Sequence, residues 1–171
     1  VIAGIDVGKR VCHMAVIEED EVTYLGELRF DIPIRFVGID APLTMPRSGF
    51  FRECERKLHK IGIVVIPPVF LREIHKVGVD LMVRFRSMGV EVFEVYPYAT
   101  RYVLGIRYSK RRREGRMKIL EGLCKYLKFP HTDDHNEIDA IISALTVKLY
   151  LDGRGEMVCG EDGCIVIPKP T

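Results

Sequence analysis

The sequence predicts an α/β domain built on a mixed sheet, its first three strands antiparallel, with helices on both faces. Three observations predict it. β-Branched and aromatic segments crowd residues 1–40, helix-periodic and strand-like segments alternate after them, and the most strongly apolar helical pattern lies near the end of the chain.

Residues 1–8 (VIAGIDVG) are a short apolar strand. Residues 11–20 and 21–30 follow as strands around a polar Glu-Glu-Asp-Glu turn, and residues 36–40 (FVGID) make a fourth, stopped by Ala41-Pro42. Phe51–Lys60 has the spacing of a short amphipathic helix closed by Gly62, and the IVVIPP stretch after it ends at its prolines as strand or loop. Residues 71–88 form a longer helix, with Leu71, Ile74, Gly78, Leu81 and Phe85 on one face. Residues 91–97 (EVFEVYP) alternate and end at proline as a fifth strand. Met117, Leu120, Leu123, Cys124 and Leu127 line a helix ending near Pro130. The run Thr132 to Glu137, rich in capping residues, precedes a last helix on Ile138, Ile141, Ile142, Leu145 and Leu149. Residues 154–171 turn back as a short strand on the edge of a single domain spanning 1–171.

With 171 residues and 47% hydrophobic content, one domain can bury a core of its own. No stretch approaches the roughly 18 apolar residues of a membrane-spanning helix, and the first residues look like a strand rather than a signal peptide. The expectation is a cytoplasmic protein without a membrane partner. Five cysteines form no Cys-x-x-Cys pair, so most are expected to be reduced packing residues, Cys54 and Cys124 as core fillers. Cys159 and Cys164 are the exception, because Gly-Glu-Asp-Gly between them can turn a hairpin and set them opposite each other. His13, His59 and His75 fall at no metal-ligand spacing and are expected on the surface or in packing.

Four carboxylates sit where a core should be apolar: Asp6 in the first strand, Asp40 ending the fourth, Glu94 in the fifth, and Asp139 at the start of the last helix. A buried carboxylate costs several kcal/mol unless it is paired or bound to a cation. Asp6 shares a sheet face with Gly4 and Gly8, which suggests room beside it, and Asp139 shares a helix face with His135, Asn136 and Ser143. If the last helix crosses the ends of strands one and four, Asp6, Asp40 and Asp139 form a hard oxygen site suited to Mg²⁺ or Mn²⁺, with Glu94 nearby. Taken singly, Asp40 could cap a turn, Glu94 could pair with an arginine, and Asp139 could answer the helix dipole.

Gly-Ile-Asp-Val-Gly at 4–8, Gly-Ile-Asp-Ala-Pro-Leu at 38–43, Glu-Val-Tyr-Pro at 94–97 and His-Asn-Glu-Ile-Asp-Ala-Ile-Ile-Ser-Ala-Leu-Thr at 135–146 resemble the family called domain of unknown function 429. The ending Gly-Cys-Ile-Val-Ile-Pro extends the likeness over nearly the whole chain. The resemblance implies an RNase H-like fold and a predicted metal-dependent nuclease, with Asp6, Asp40, Asp139 and Glu94 at the family's acidic positions. The last helix is also similar to the terminal helix of RuvC-type Holliday-junction resolvases, where an acidic residue stands three positions before the aspartate. Here that position is Asn136. The stretch from Phe30 to Phe36 is also too short for the helix that usually follows the third strand in RNase H folds.

Residues 107–118 hold seven Lys/Arg against one Glu, a local +6. With a total of +2, the rest of the chain carries −4. Arg107, Lys110, Arg111, Arg112, Arg113 and Arg116 are thus candidates to grip nucleic-acid phosphates, with Tyr102 and Tyr108 offering faces to unpaired bases and Arg72 and Arg101 as further cations. His135 would assist proton transfer or product release. Two other classes stay open at this point. One is a non-catalytic nucleic-acid or protein binding module, which Asn136 favours. The other is an actin- or sugar-kinase-like phosphotransfer protein, which Asp-x-Gly-Lys after the first strand favours.

Overall fold

A computed structural model describes residues 1–170. Its first strand, β1 (Ile2–Asp6), is the middle of a five-stranded sheet. β2 (His13–Glu18) and β3 (Glu21–Glu27) extend it antiparallel on one side, and β4 (Phe36–Asp40) and β5 (Glu91–Glu94) extend it parallel on the other. The order β3-β2-β1-β4-β5 is the mixed RNase H-like arrangement. No helix intervenes between β3 and β4.

Alternation along β1 and β4 divides the core. Ala3, Ile5, Val37 and Ile39 point to one face, where Leu81 and Phe85 of α2 (Arg72–Ser87) cover them. Gly4 and Gly38 are register partners on the opposite face, where α5 (His135–Leu151) lies across the sheet. A Cβ on Gly4 would lie 2.2 Å from the Ala140 carbonyl oxygen and the Ala144 nitrogen. On Gly38 it would lie 2.8 Å from the Ser143 carbonyl oxygen. The glycines therefore do not open room beside Asp6, as the sequence suggested; α5 fills that room. Gly8 likewise serves a tight turn, where an added Cβ would sit 2.2 Å from the Val11 carbonyl oxygen.

α5 is buried on most of its circumference, as its nearly unbroken apolar sequence requires. Its outer side meets α3 (Pro97–Val103), with Thr100 and Thr146 hydroxyls 2.7 Å apart, and its apolar cluster takes in Ile119, Leu120 and Leu123 of α4 (Arg113–Leu123). Ser143 and Thr146 are tolerated there because their hydroxyls donate to the carbonyls of Asp139 and Ile142 in their own helix. Ser143 thus does not join a polar stripe facing the carboxylates. A hairpin, β6 (Gly155–Gly160) and β7 (Gly163–Pro168), closes the chain beside α1 (Glu53–Lys60) and α5. Cys159 and Cys164 face each other across it and form a disulfide.

Two local expectations are corrected. The fifth strand stops at Glu94, and Pro97 opens α3 instead of ending a strand, because its fixed φ suits a first helical turn. The fourth helix begins at Arg113, inside the basic segment, and its buried line is Ile119, Leu120 and Leu123; Met117 and Cys124 are exposed.

Gly4→Ala is expected to lower stability by roughly 1–3 kcal/mol or more, because backbone stands where the methyl must go. Chemical denaturation checks this, with Gly89→Ala as a strained but uncrowded control, since open space surrounds Gly89 at φ +79°.

Candidate metal centre

The close seat of α5 on the glycine pair creates the site. One pleat beyond Gly4 and Gly38, Asp6 and Asp40 are again register partners on the helix-facing side. One turn before Ser143, α5 presents Asp139. A carboxylate oxygen from each of the three lies within 4.8 Å of the others. Asp6 and Asp139 are buried, and Asp40 is partly open at its strand end.

Three carboxylates so close repel one another. Burial, and next the charge of Asp139, push the Asp6 carboxyl up to about 7. Burial and both neighbouring aspartates also raise Asp40 well above the ordinary carboxylate range. The Oδ1 of Asp139 is buried without a hydrogen-bond partner, while its Oδ2 pairs with the Lys110 ammonium. An orphaned acceptor among oxygen-only donors fits Mg²⁺ or Mn²⁺ held by Asp6, Asp40 and Asp139.

Glu94 is not part of this cluster. It pairs in register with Ile39, on the other sheet face, and its two oxygens accept from Arg52 Nη2 at 2.5 Å and Nη1 at 2.8 Å. The Leu43 amide donates to it as well, at 3.0 Å. Arg52, only 1% exposed, also donates from Nε to Glu55 at 2.8 Å. Glu94 thus anchors a buried ion-pair network, the pairing with an arginine that the sequence left open. It still borders a cleft of about 240 Å³ that Asp40, Arg52 and Tyr96 also line.

His135, the first residue of α5, is exposed and one turn from Asp139. Two neighbours lie beside the cluster, and one of them, His13, is the residue expected on the surface or in packing. His13 is the cross-strand partner of Asp6; its Nδ1 is buried without a partner, and its Nε2 lies 3.9 Å from Asp134. Asp134 caps α5 by accepting from the Asn136 amide at 2.8 Å, and its charge adds to the load on Asp6. The register of the β1–β2 hairpin, once the turn over residues 7–12 is fixed, is the signal that pairs His13 with Asp6.

The basic segment divides by role. Lys110 reaches Asp139 from a loop fixed against α4: at Gly115 a Cβ would lie 1.8 Å from the Ser109 carbonyl oxygen. Arg116 holds that loop too, donating to the Lys110 carbonyl at 3.0 Å and to Asp133 at 2.9 Å. It is therefore committed to the fold. Arg107 lies over the Tyr102 ring at 3.8 Å, and Arg111, Arg112 and Arg113 are exposed.

Two outcomes follow. A carboxyl whose native pKa exceeds its unfolded value of 3.8 keeps its proton in the folded state after the unfolded chain has lost it. Its contribution is therefore lost as pH rises toward about 7. The melting temperature of Asp6→Asn should gain on the original protein as pH rises from about 4 to about 7 without metal, and level off above that; saturating Mn²⁺ should abolish the gain. Lys110→Met should tighten Mn²⁺ binding about two- to fivefold by calorimetry, because the ammonium no longer competes for Asp139.

No protein-family model matches the chain, and no curated protein does. Among solved structures, the chain is similar to RuvC of T. thermophilus in complex with a Holliday junction substrate. The two are 16% identical, with a TM-score of 0.49, over 95% of this chain and 98% of the other. Among the described residues, no helix is long and apolar enough to cross a membrane.

Proposed function

We propose that the chain is a divalent-metal-dependent nuclease that hydrolyses phosphodiester bonds of nucleic acid. The observation that carries this reading is the convergence of Asp6, Asp40 and Asp139 within 4.8 Å, with one buried acceptor left unpartnered. The motif resemblance to the domain of unknown function 429 family supports the same reading.

Mg²⁺ or Mn²⁺ in this site supplies charge neutralisation at a phosphoryl oxygen and activation of a water. Asp6, on the middle strand, would hold the cation together with Asp40 and Asp139. The packing of α5 fixes their separation, so they need little reorganisation before reaction. Lys110, which pairs with Asp139 and also lines the neighbouring cavity, would be free to meet a substrate phosphate were a cation bound at Asp139. Arg111, Arg112 and Arg113 hold the strand electrostatically, and Glu94 shapes the cleft beside Asp40 through Arg52. His135, exposed at the start of α5 one turn before Asp139, is the nearby side chain that could pass a proton to the leaving oxygen or to solvent.

Cleavage of a panel of single-stranded, duplex, hybrid and branched substrates in Mn²⁺ tests this. Asp6→Asn should reduce cleavage by roughly 100-fold or more, beyond the 10–100-fold that a supporting residue costs. Cation binding without cleavage of any substrate would overturn the nuclease and leave a binding module.

A further inference from the structure

The protein buries two arginines, and their surroundings differ. Arg52 lies against two carboxylates. Arg101, on α3, is 7% exposed, yet among the described residues no carboxylate pairs with it. Its Nη1 donates to the Tyr108 carbonyl at 2.8 Å, and its Nε is buried with no partner. Burying a cation without a counter-ion is strongly unfavourable, so a position like this calls for an anion from elsewhere.

Arg101 lines a cavity of about 460 Å³, within the roughly 300–1,000 Å³ typical of small-molecule sites. Its other walls combine two chemistries. Arg107, Lys110 and Arg111 add positive charge, and Tyr98, Tyr102 and Tyr108 add aromatic faces. Tyr98 and Tyr108 are 39% and 44% exposed; Tyr98 packs beside Tyr96 and Tyr102, and Lys118 Nζ lies 5.2 Å from the Tyr108 ring centroid, a further cation next to that ring. Arg107 already lies over Tyr102 at 3.8 Å, showing that a flat cation is accommodated on that ring. A planar heterocycle carrying a phosphate meets both demands at once. Lys110 joins this cavity to the carboxylates, because it lines the one and pairs with Asp139 in the other.

We propose that this cavity holds one unpaired nucleotide of a nucleic-acid strand, its phosphate drawn to Arg101 and its base laid on Tyr98 or Tyr108. The proposal rests on the reading that the protein acts on nucleic acid, and names the substrate feature it selects: a single-stranded nucleotide next to the bond presented to Asp6, Asp40 and Asp139. A fully paired duplex cannot place a base there without unstacking it.

The test uses metal-free protein in EDTA, so that it stands apart from any cleavage. Fluorescence anisotropy compares a duplex bearing a single-stranded tail with a blunt duplex of equal charge, and the tailed form should bind at least 10-fold more tightly. Arg101→Met and Tyr108→Ala should each remove most of that preference and leave blunt-duplex affinity within about twofold. Arg112→Ser, in the exposed run, should weaken both forms alike. Thermal melts supply the second measurement: Arg101→Met should melt no lower than the original protein, because an unpaired buried charge has been removed. A nucleoside monophosphate should raise the melting temperature of the original protein and not of the variant. Stabilisation by inorganic phosphate equal to that by the nucleotide would reduce the site to an anion pocket and overturn the role given to the tyrosines. Equal binding of tailed and blunt duplexes, or an Arg101→Met variant that melts well below the original protein while the Tyr108→Ala preference is unchanged, would overturn the proposal.

Discussion

The contact on which the site depends is the seating of α5 on the paired glycines of β1 and β4. Without side chains at Gly4 and Gly38, the helix backbone reaches the sheet backbone at Ala140, Ser143 and Ala144. Side chains at these two positions would hold the helix farther off and widen the separation between Asp139 on α5 and the aspartates of β1 and β4. The period of the sheet then does the rest. Two residues along, Asp6 and Asp40 repeat the register of the glycines and inherit their orientation toward the helix. A packing device and a chemical one are the same feature read at successive pleats.

Charge is distributed around this contact in separate compartments. On the α2-facing side of the sheet, Arg52, Glu55 and Glu94 satisfy one another, and removing one partner would leave a buried charge exposed to the full desolvation cost. On the α5-facing side the carboxylates outnumber their one cationic contact, Lys110. Beyond Lys110, around Arg101, the excess has the opposite sign. The small net charge of +2 conceals two unmatched clusters of opposite sign that lie side by side.

Much of this was legible in the sequence, and the gaps have physical causes. The antiparallel start of the sheet could be anticipated because β1 to β3 are short, β-rich and separated by turns, and α5 because its apolar residues recur at helical spacing over more than three turns. Asp6, Asp40 and Asp139 stood out as acidic residues in apolar segments. Glu94 stood out by the same signal, yet it faces the other side of the sheet; its role depends on Arg52, 42 residues away, and no local pattern encodes that pairing. His13 falls at no metal-ligand spacing along the chain because it meets Asp6 across a hairpin. α3 was missed because Pro97 ends one kind of element and begins another equally well. Arg101 looked like any basic residue near a basic run, since burial without a counter-ion is visible only after folding.

Lys110 is the hinge between the two unmatched compartments. Its ammonium cannot neutralise Asp139 and hold a substrate phosphate at once. A divalent cation held by Asp139 would free it, and a phosphate that drew it away would leave Asp139 short of a counter-ion. Each ligand would then improve the site for the other, by the same factor in both directions. The loop that carries Lys110 is fixed by Gly115 and Arg116, so the exchange needs movement of one long side chain and no rearrangement of backbone. Within a nuclease, that coupling ties full occupancy of the acidic centre to the presence of a strand, which is the condition under which hydrolysis is useful.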